Sequence, residues 1–230
     1  GDVYKRQGRY IVKEVSSPQY YSVSDEEVTV YLEHEGQIVQ IEFLNESVYT
    51  NVSIGKSGYT EVVPGQEIRY TFKDIGNNST VPLDSFYWRD TLPTDAVRLD
   101  KIITGTYSTR LNYKVVFQTN LSNTQRVLAD NLNTLQNYIL DASPAALGLA
   151  SNEYVTQVTF LFGRVPGGFR QVETPYIYCD VLSSLPHEYR FSNKCDVGGM
   201  WQNQWIQATD RWVTIIYRGG PVPTLPRTGY

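Results

Sequence analysis

Apolar residues recur at every second position along much of this chain, and that alternation decides what it can fold into. Val28, Val30 and Leu32 alternate with polar residues, and Val39, Ile41 and Phe43 do so after the Glu35-Gly36 turn. Val52 and Ile54, then Ile68, Tyr70 and Phe72, repeat the pattern. A period of two sends successive side chains to opposite faces of a strand and loads one face with apolar groups. Further strands are expected over 111–119, 154–162, 174–182 and 212–217. The 18 tyrosines, with abundant Val and Thr, suit half-buried pleated surfaces. At 230 residues, 41% of them hydrophobic, the chain can bury one large β core and part of another.

Two local readings refine this. The Val28–Leu32 and Val39–Phe43 runs form an expected hairpin with one buried face. One stretch breaks the β pattern: Asn123 can cap a helix in which Leu128, Leu132, Leu135 and Ile139 recur at helical spacing, ending before Ser143-Pro144. A single amphipathic helix is therefore expected, packed as a lid over an open end of the β domain.

Composition narrows the function classes. A net charge of -4 gives no reason to expect nucleic acid or an anionic membrane as partner. No apolar run approaches the ~20 residues of a membrane span. His34 and His187 are isolated and no Cys/His cluster has metal-ligand spacing, so neither metal nor cofactor is expected. Cys179 and Cys195 are the only cysteines; a disulfide and two buried thiols are both compatible with their spacing. The sole methionine is Met200, and residues 1–7 (GDVYKRQ) resemble a translated sequencing adapter, so they are set aside as a non-native leader.

Residues 8–46 carry a first resemblance. Tyr10-Ile11-Val12-Lys13-Glu14, then Ser17-Pro18, then Phe43-Leu44-Asn45, resemble the C-terminal part of a Cna protein B-type domain. The resemblance implies a partial prealbumin-like β-sandwich. It also implies roles in an intramolecular isopeptide bond, with Glu14 as catalytic acid, Asn45 as acceptor and the lysine position upstream. Tyr20 departs from the family pattern, which places Gly there.

Residues 47–218 carry a second. Val52-x-Ile54-x-Lys56, then Val62-Val63-Pro64-Gly65-x-x-Ile68-x-Tyr70, then Asp90-x-Leu92-Pro93, then Ser192-Asn193-x-Cys195-x-Val197, resemble in order the isopeptide-forming domains of fimbrial and adhesin proteins. The implied fold is mainly β, an immunoglobulin-like β-sandwich carrying the one inserted helix. The implied roles are Lys56 as amine donor, Asp90 as catalytic acid and Asn193 as amide acceptor, with Asn152 and Asn203 as alternative acceptors because Cys195 stands where the family has a small residue. The chemistry fits those residue types. An amine attacks only when neutral, and an apolar core disfavours the charged forms of both an amine and a carboxylic acid.

Residues 219–230 read as a Gly/Pro linker ending in Leu225-Pro226-Arg227-Thr228-Gly229. This resembles the LPxTG signal that sortases cut between Thr and Gly, and both prolines favour the extended backbone a protease-like enzyme needs. A complete signal of this kind continues into a hydrophobic span and a basic tail. Together the resemblances imply an extracellular, cell-wall-anchored stalk or pilin of a Gram-positive surface protein. Its partners would be sortase, and peptidoglycan or a neighbouring pilin subunit. It would not be an enzyme beyond one intramolecular turnover. The alternative is an adhesin module that binds a host protein or glycan through an exposed aromatic surface, for which Trp201, Trp205 and Trp212 are the candidates.

Overall fold

The computed structural model describes residues 7–18 and 20–219. The chain divides into two compact units, Gly1–Tyr49 and Thr50–Tyr230. In the first, β1 (Gly8–Lys13) pairs antiparallel with β2 (Glu27–Leu32), Val12 opposite Val28 and Tyr10 opposite Val30. The expected hairpin between 28–32 and 39–43 does not form. The chain does turn after β2, with Gln37 N–H donating to the His34 carbonyl, but residues 33–46 form no strand and Ile38 is 93% exposed. Alternation specifies which side chains share a face; it does not specify which edge the segment pairs with.

The second unit is a β-sandwich. One sheet has five strands in the order β10 (Ile139–Asp141), β7 (Val97–Ile103), β12 (Tyr176–Val181), β5 (Glu67–Asn77) and β3 (Val52–Ser57). The other has seven, in the order β4 (Glu61–Val62), β14 (Gln204–Ile216), β13 (Arg190–Trp201), β6 (Leu83–Thr91), β11 (Val155–Val165), β8 (Asn112–Thr119) and β9 (Ser122–Asn133). Every pairing is antiparallel except β4 with β14. Inward residues of both sheets, among them Ile68, Tyr70, Phe72, Phe86, Trp88, Phe160 and Ile177, form one continuous core. Trp88 stacks on Phe160 at 3.9 Å and lies 4.8 Å from Phe72 of the opposite sheet.

The expected helix is absent: residues 122–133 are strand β9, and no α-helix occurs among the described residues. The register against β8 explains the misleading spacing. Val115 faces Ala129 while Val116 faces Val127, and Tyr113 faces Leu132, so two irregularities each add a residue to β9. Asn131 at φ 53° sits in the second. Each bulge moves the inward phase by one residue, so Leu128 and Leu132 imitate a helical repeat. Leu135 and Ile139, the other half of that repeat, are 46% and 73% exposed.

Candidate functional site

Three inward rows of the sandwich each end in, or contain, one polar residue where an apolar one is due. On β3 the row Val52, Ile54 is followed by Lys56; on β6, Phe86 and Trp88 are followed by Asp90; on β13, Asn193 stands between Phe191 and Cys195. Strand pairing brings the three together. Cys195 is directly opposite Asp90 across β13 and β6, which leaves Asn193, two residues along on the same face, at the diagonal position. Lys56 approaches from the five-stranded sheet, and its backbone N–H donates to Asp210 Oδ2 of β14 at 2.7 Å, tying β3 to the facing sheet.

Lys56 Nζ lies 2.7 Å from Asp90 Oδ1, both side chains being wholly buried. Asn193 Nδ2 donates to Asp90 Oδ2 at 3.3 Å. The carboxylate thus bridges an amine and a carboxamide with one oxygen for each. Lys56 Nζ also sits 3.9 Å from the Phe72 ring centroid and 4.5 Å from that of Tyr70. Burial pushes the Asp90 pKa above the ordinary carboxylate value, and this outweighs the lowering by Lys56 and the Asn193 hydrogen bond.

Two polar atoms of the pocket lack a partner: Asn193 Oδ1 and Tyr70 Oη. The Asn193 and Thr214 side chains lie close enough to the Tyr70 hydroxyl to offset part of the large pKa rise that burial causes, without reaching hydrogen-bond geometry. Neither Tyr70 nor Thr214 was assigned a site role from the sequence. Tyr70 was legible as core by its phase with Ile68 and Phe72, but nothing local marks its hydroxyl as facing polar groups.

The other candidates fall elsewhere. Asn152 and Asn203 are exposed in turns, whereas Lys56 is buried on Asp90. Cys179 and Cys195 are buried free thiols, not a disulfide; burial pushes the Cys195 thiol up to about 12 and holds the Cys179 thiol well above its ordinary value. In the first unit Asn45 Nδ2 donates to Glu14 Oε1 at 3.0 Å, and Ser24 N–H donates to Glu14 Oε2 at 2.8 Å. Asn45 Oδ1 is buried without a partner, as Asn193 Oδ1 is. The unit's only described lysine, Lys13, instead pairs with Glu27 at 2.6 Å on the surface. Tyr20, at the position where the resemblance places Gly, takes φ 70°. Trp201 and Trp212 pack against the core, and Trp212 Nε1 donates to the Tyr59 carbonyl. Trp205 is half-exposed and meets the Tyr87 ring edge-on at 6.0 Å. Residues 225–229 lie outside the described residues.

No protein-family model matches this sequence, and no curated protein matches it. Among solved structures, the major pilin subunit of Bacillus cereus is similar at 14% identity and TM-score 0.36, over 92% of this chain and 55% of that one. This chain therefore spans little more than half of that subunit. A protein that catalyses macrocyclization in alchivemycin A biosynthesis is similar at 8% identity and TM-score 0.30, over 75% of this chain and 92% of that one. The major subunit of aggregative adherence fimbriae type I from Escherichia coli is similar at 7% identity and TM-score 0.29, over 77% and 99%. Likenesses this remote assign neither a family nor an activity.

Proposed function

We propose that the second unit is a load-bearing stalk or adhesin domain of a Gram-positive surface protein, cross-linked by a bond it makes itself between Lys56 and Asn193. The observation that carries this reading is the single buried carboxylate of Asp90, with the amine on one oxygen at 2.7 Å and the carboxamide on the other at 3.3 Å. A surface ion pair would not need an asparagine, and a packing residue would not be a lysine in a cage of Tyr70 and Phe72.

The reaction balances without a cofactor. Lys56 ammonium gives a proton to Asp90, and the neutral amine attacks Cγ of Asn193. The Nζ–Cγ bond forms while the carbonyl electron pair moves to Oδ1. Asp90 gives its proton to Nδ2 and takes one from Nζ. The Cγ–Nδ2 bond then breaks, ammonia leaves, and Asp90 ends neutral. Proximity imposed by folding replaces an external catalyst, and the product closes a loop from residue 56 to 193 worth about 5 kcal/mol on the chain-entropy model. The turnover is single and intramolecular.

Intact mass tests this directly. The folded protein should weigh one ammonia less than its sequence, and Lys56→Ala or Asp90→Ala should restore the full mass; a wild type of full mass overturns the reading. Anchoring belongs to the same proposal: sortase would cut between Thr228 and Gly229 and pass the chain to peptidoglycan or a pilin subunit. Incubation with a sortase and an oligoglycine amine should therefore give a Thr228 conjugate. In the first unit, Glu14 and Asn45 would serve the same chemistry with a lysine from outside residues 8–46. The half-exposed Trp205, set beside Tyr87, supports a second reading as a binding surface for host protein or glycan. Binding lost in Trp205→Ala at unchanged mass would favour it.

A further inference from the structure

The proposed reaction leaves one charge unattended. With Asp90 on the nitrogen side of the Asn193 carboxamide, the negative charge that develops on Oδ1 meets no donor in the resting hydrogen-bond pattern. An uncompensated oxyanion in an apolar pocket is the costliest species on such a path. The same pocket holds one unpartnered hydroxyl, Tyr70 Oη, which borders the Asn193 side chain. We infer that Tyr70 is a further catalytic residue of the cross-linking site, its hydroxyl donating a hydrogen bond to Asn193 Oδ1 as the tetrahedral carbon forms.

Placement supports the assignment. Lys56 is directly opposite Phe72 across β3 and β5, so Tyr70, two residues along on the same face, lies diagonal to it with its ring centroid 4.5 Å from Nζ. The Tyr70 ring thus borders the buried amine that Asp90 holds, in the same pocket as the unpartnered Asn193 Oδ1. Burial keeps the phenol protonated, as a neutral donor must be. No proton is transferred from it: Tyr70 starts and ends the step as O–H. Thr214, buried beside the hydroxyl, directs its own Oγ1 proton to the Tyr59 carbonyl at 2.8 Å. That proton is therefore not offered to Tyr70 Oη, which stays unpartnered before the reaction.

This inference rests on the isopeptide reading, and the test separates the two. The full chain is made by cell-free synthesis, and ammonia loss is followed by intact mass at successive times for wild type, Tyr70→Phe and a variant carrying 3,5-difluorotyrosine at position 70. Loss of one oxyanion donor slows reactions of this class by roughly 10²-fold, which is the slowing expected for Tyr70→Phe. The fluorinated phenol is a stronger donor of the same shape and should react at least as fast as wild type, a response that a purely structural ring would not give. Should Tyr70→Phe fail to fold, the fluorinated variant decides alone: a rate below that of wild type overturns the role. Tyr70→Phe maturing at the wild-type rate overturns Tyr70 and leaves the isopeptide reading standing, whereas a wild type that never loses ammonia overturns both.

Discussion

Asp90 sets the acid–base behaviour of the core. Its folded-state pKa is raised by burial above the ordinary 3.8, so above that pH the native state holds a proton the unfolded chain has released. Its contribution to stability is full below about 3.8 and is lost as pH rises through the raised folded value. The Lys56→Met variant isolates this effect, because it removes both the covalent bond and the countercharge. Its denaturation midpoint should fall steadily from pH 4 toward pH 7, while Lys56→Met/Asp90→Leu should be flat over that range. The double variant should also be the more stable of the two near pH 7, since replacing a buried pair with apolar groups avoids stranding one charge. These residues were singled out by the order of motifs resembling isopeptide-forming domains; in the structure each interrupts an apolar row in phase, Lys56 after Val52 and Ile54, Asp90 after Phe86 and Trp88. The unpartnered atoms of Tyr70 and Asn193 were not legible, because they follow from a diagonal relation between strands that local sequence does not encode.

At the scale of elements, the sequence was most informative where strands run without irregularity. Strand β12 and the first half of β5 occupy the expected ranges, and their alternation is clean. Strand β9 was misread because two bulges shifted its phase, and the 39–43 run was assigned a partner that β1 takes instead. The β13–β14 hairpin offers a direct test of turn chemistry. Trp201 pairs with Gln204, and the two linking residues, Gln202 and Asn203, have φ of 46° and 62°. Two successive left-handed residues are the signature of a type I′ turn, for which Asn-Gly is the preferred pair. Changing Gln202→Asn together with Asn203→Gly should relieve about 1 kcal/mol and raise the melting temperature by roughly 2–4 °C, measured in a Lys56→Ala background so that the cross-link does not mask it. Gly105 gives the opposite case. Its φ is 67° and an added Cβ would lie 2.4 Å from the Glu173 carbonyl oxygen, so Gly105→Ala should lower stability by at least about 1–3 kcal/mol.

For the whole molecule, what matters is where a pulling force travels. The second unit begins next to β3 and ends after β14, strands that lie against each other through the Lys56–Asp210 hydrogen bond. A bond from Lys56 on β3 to Asn193 on β13 would carry tension across that junction and leave residues 57–192 outside the load path. In single-molecule pulling, wild type should show no extension step from those residues, and Lys56→Ala should release them in one. That the chain is mainly β was visible in its alternation, and the sandwich was implied by the resemblance to isopeptide-forming domains. Which strands became neighbours was not visible, because strands close in sequence are distributed over two sheets: β3 and β4 are adjacent along the chain yet belong to different ones.

The two buried thiols flank this same core from opposite sheets, Cys179 on β12 and Cys195 opposite Asp90 on β13. Neither reaches solvent, and both are held in the unreactive protonated form by burial. A thiol reagent can modify them only during the moments when the sheets part, so the labelling rate reports how often the sandwich breathes. The chain thus carries two native reporters of its own opening, one in each sheet. Comparing their rates before and after ammonia loss would show whether the cross-link quiets the whole interior or only the seam it spans.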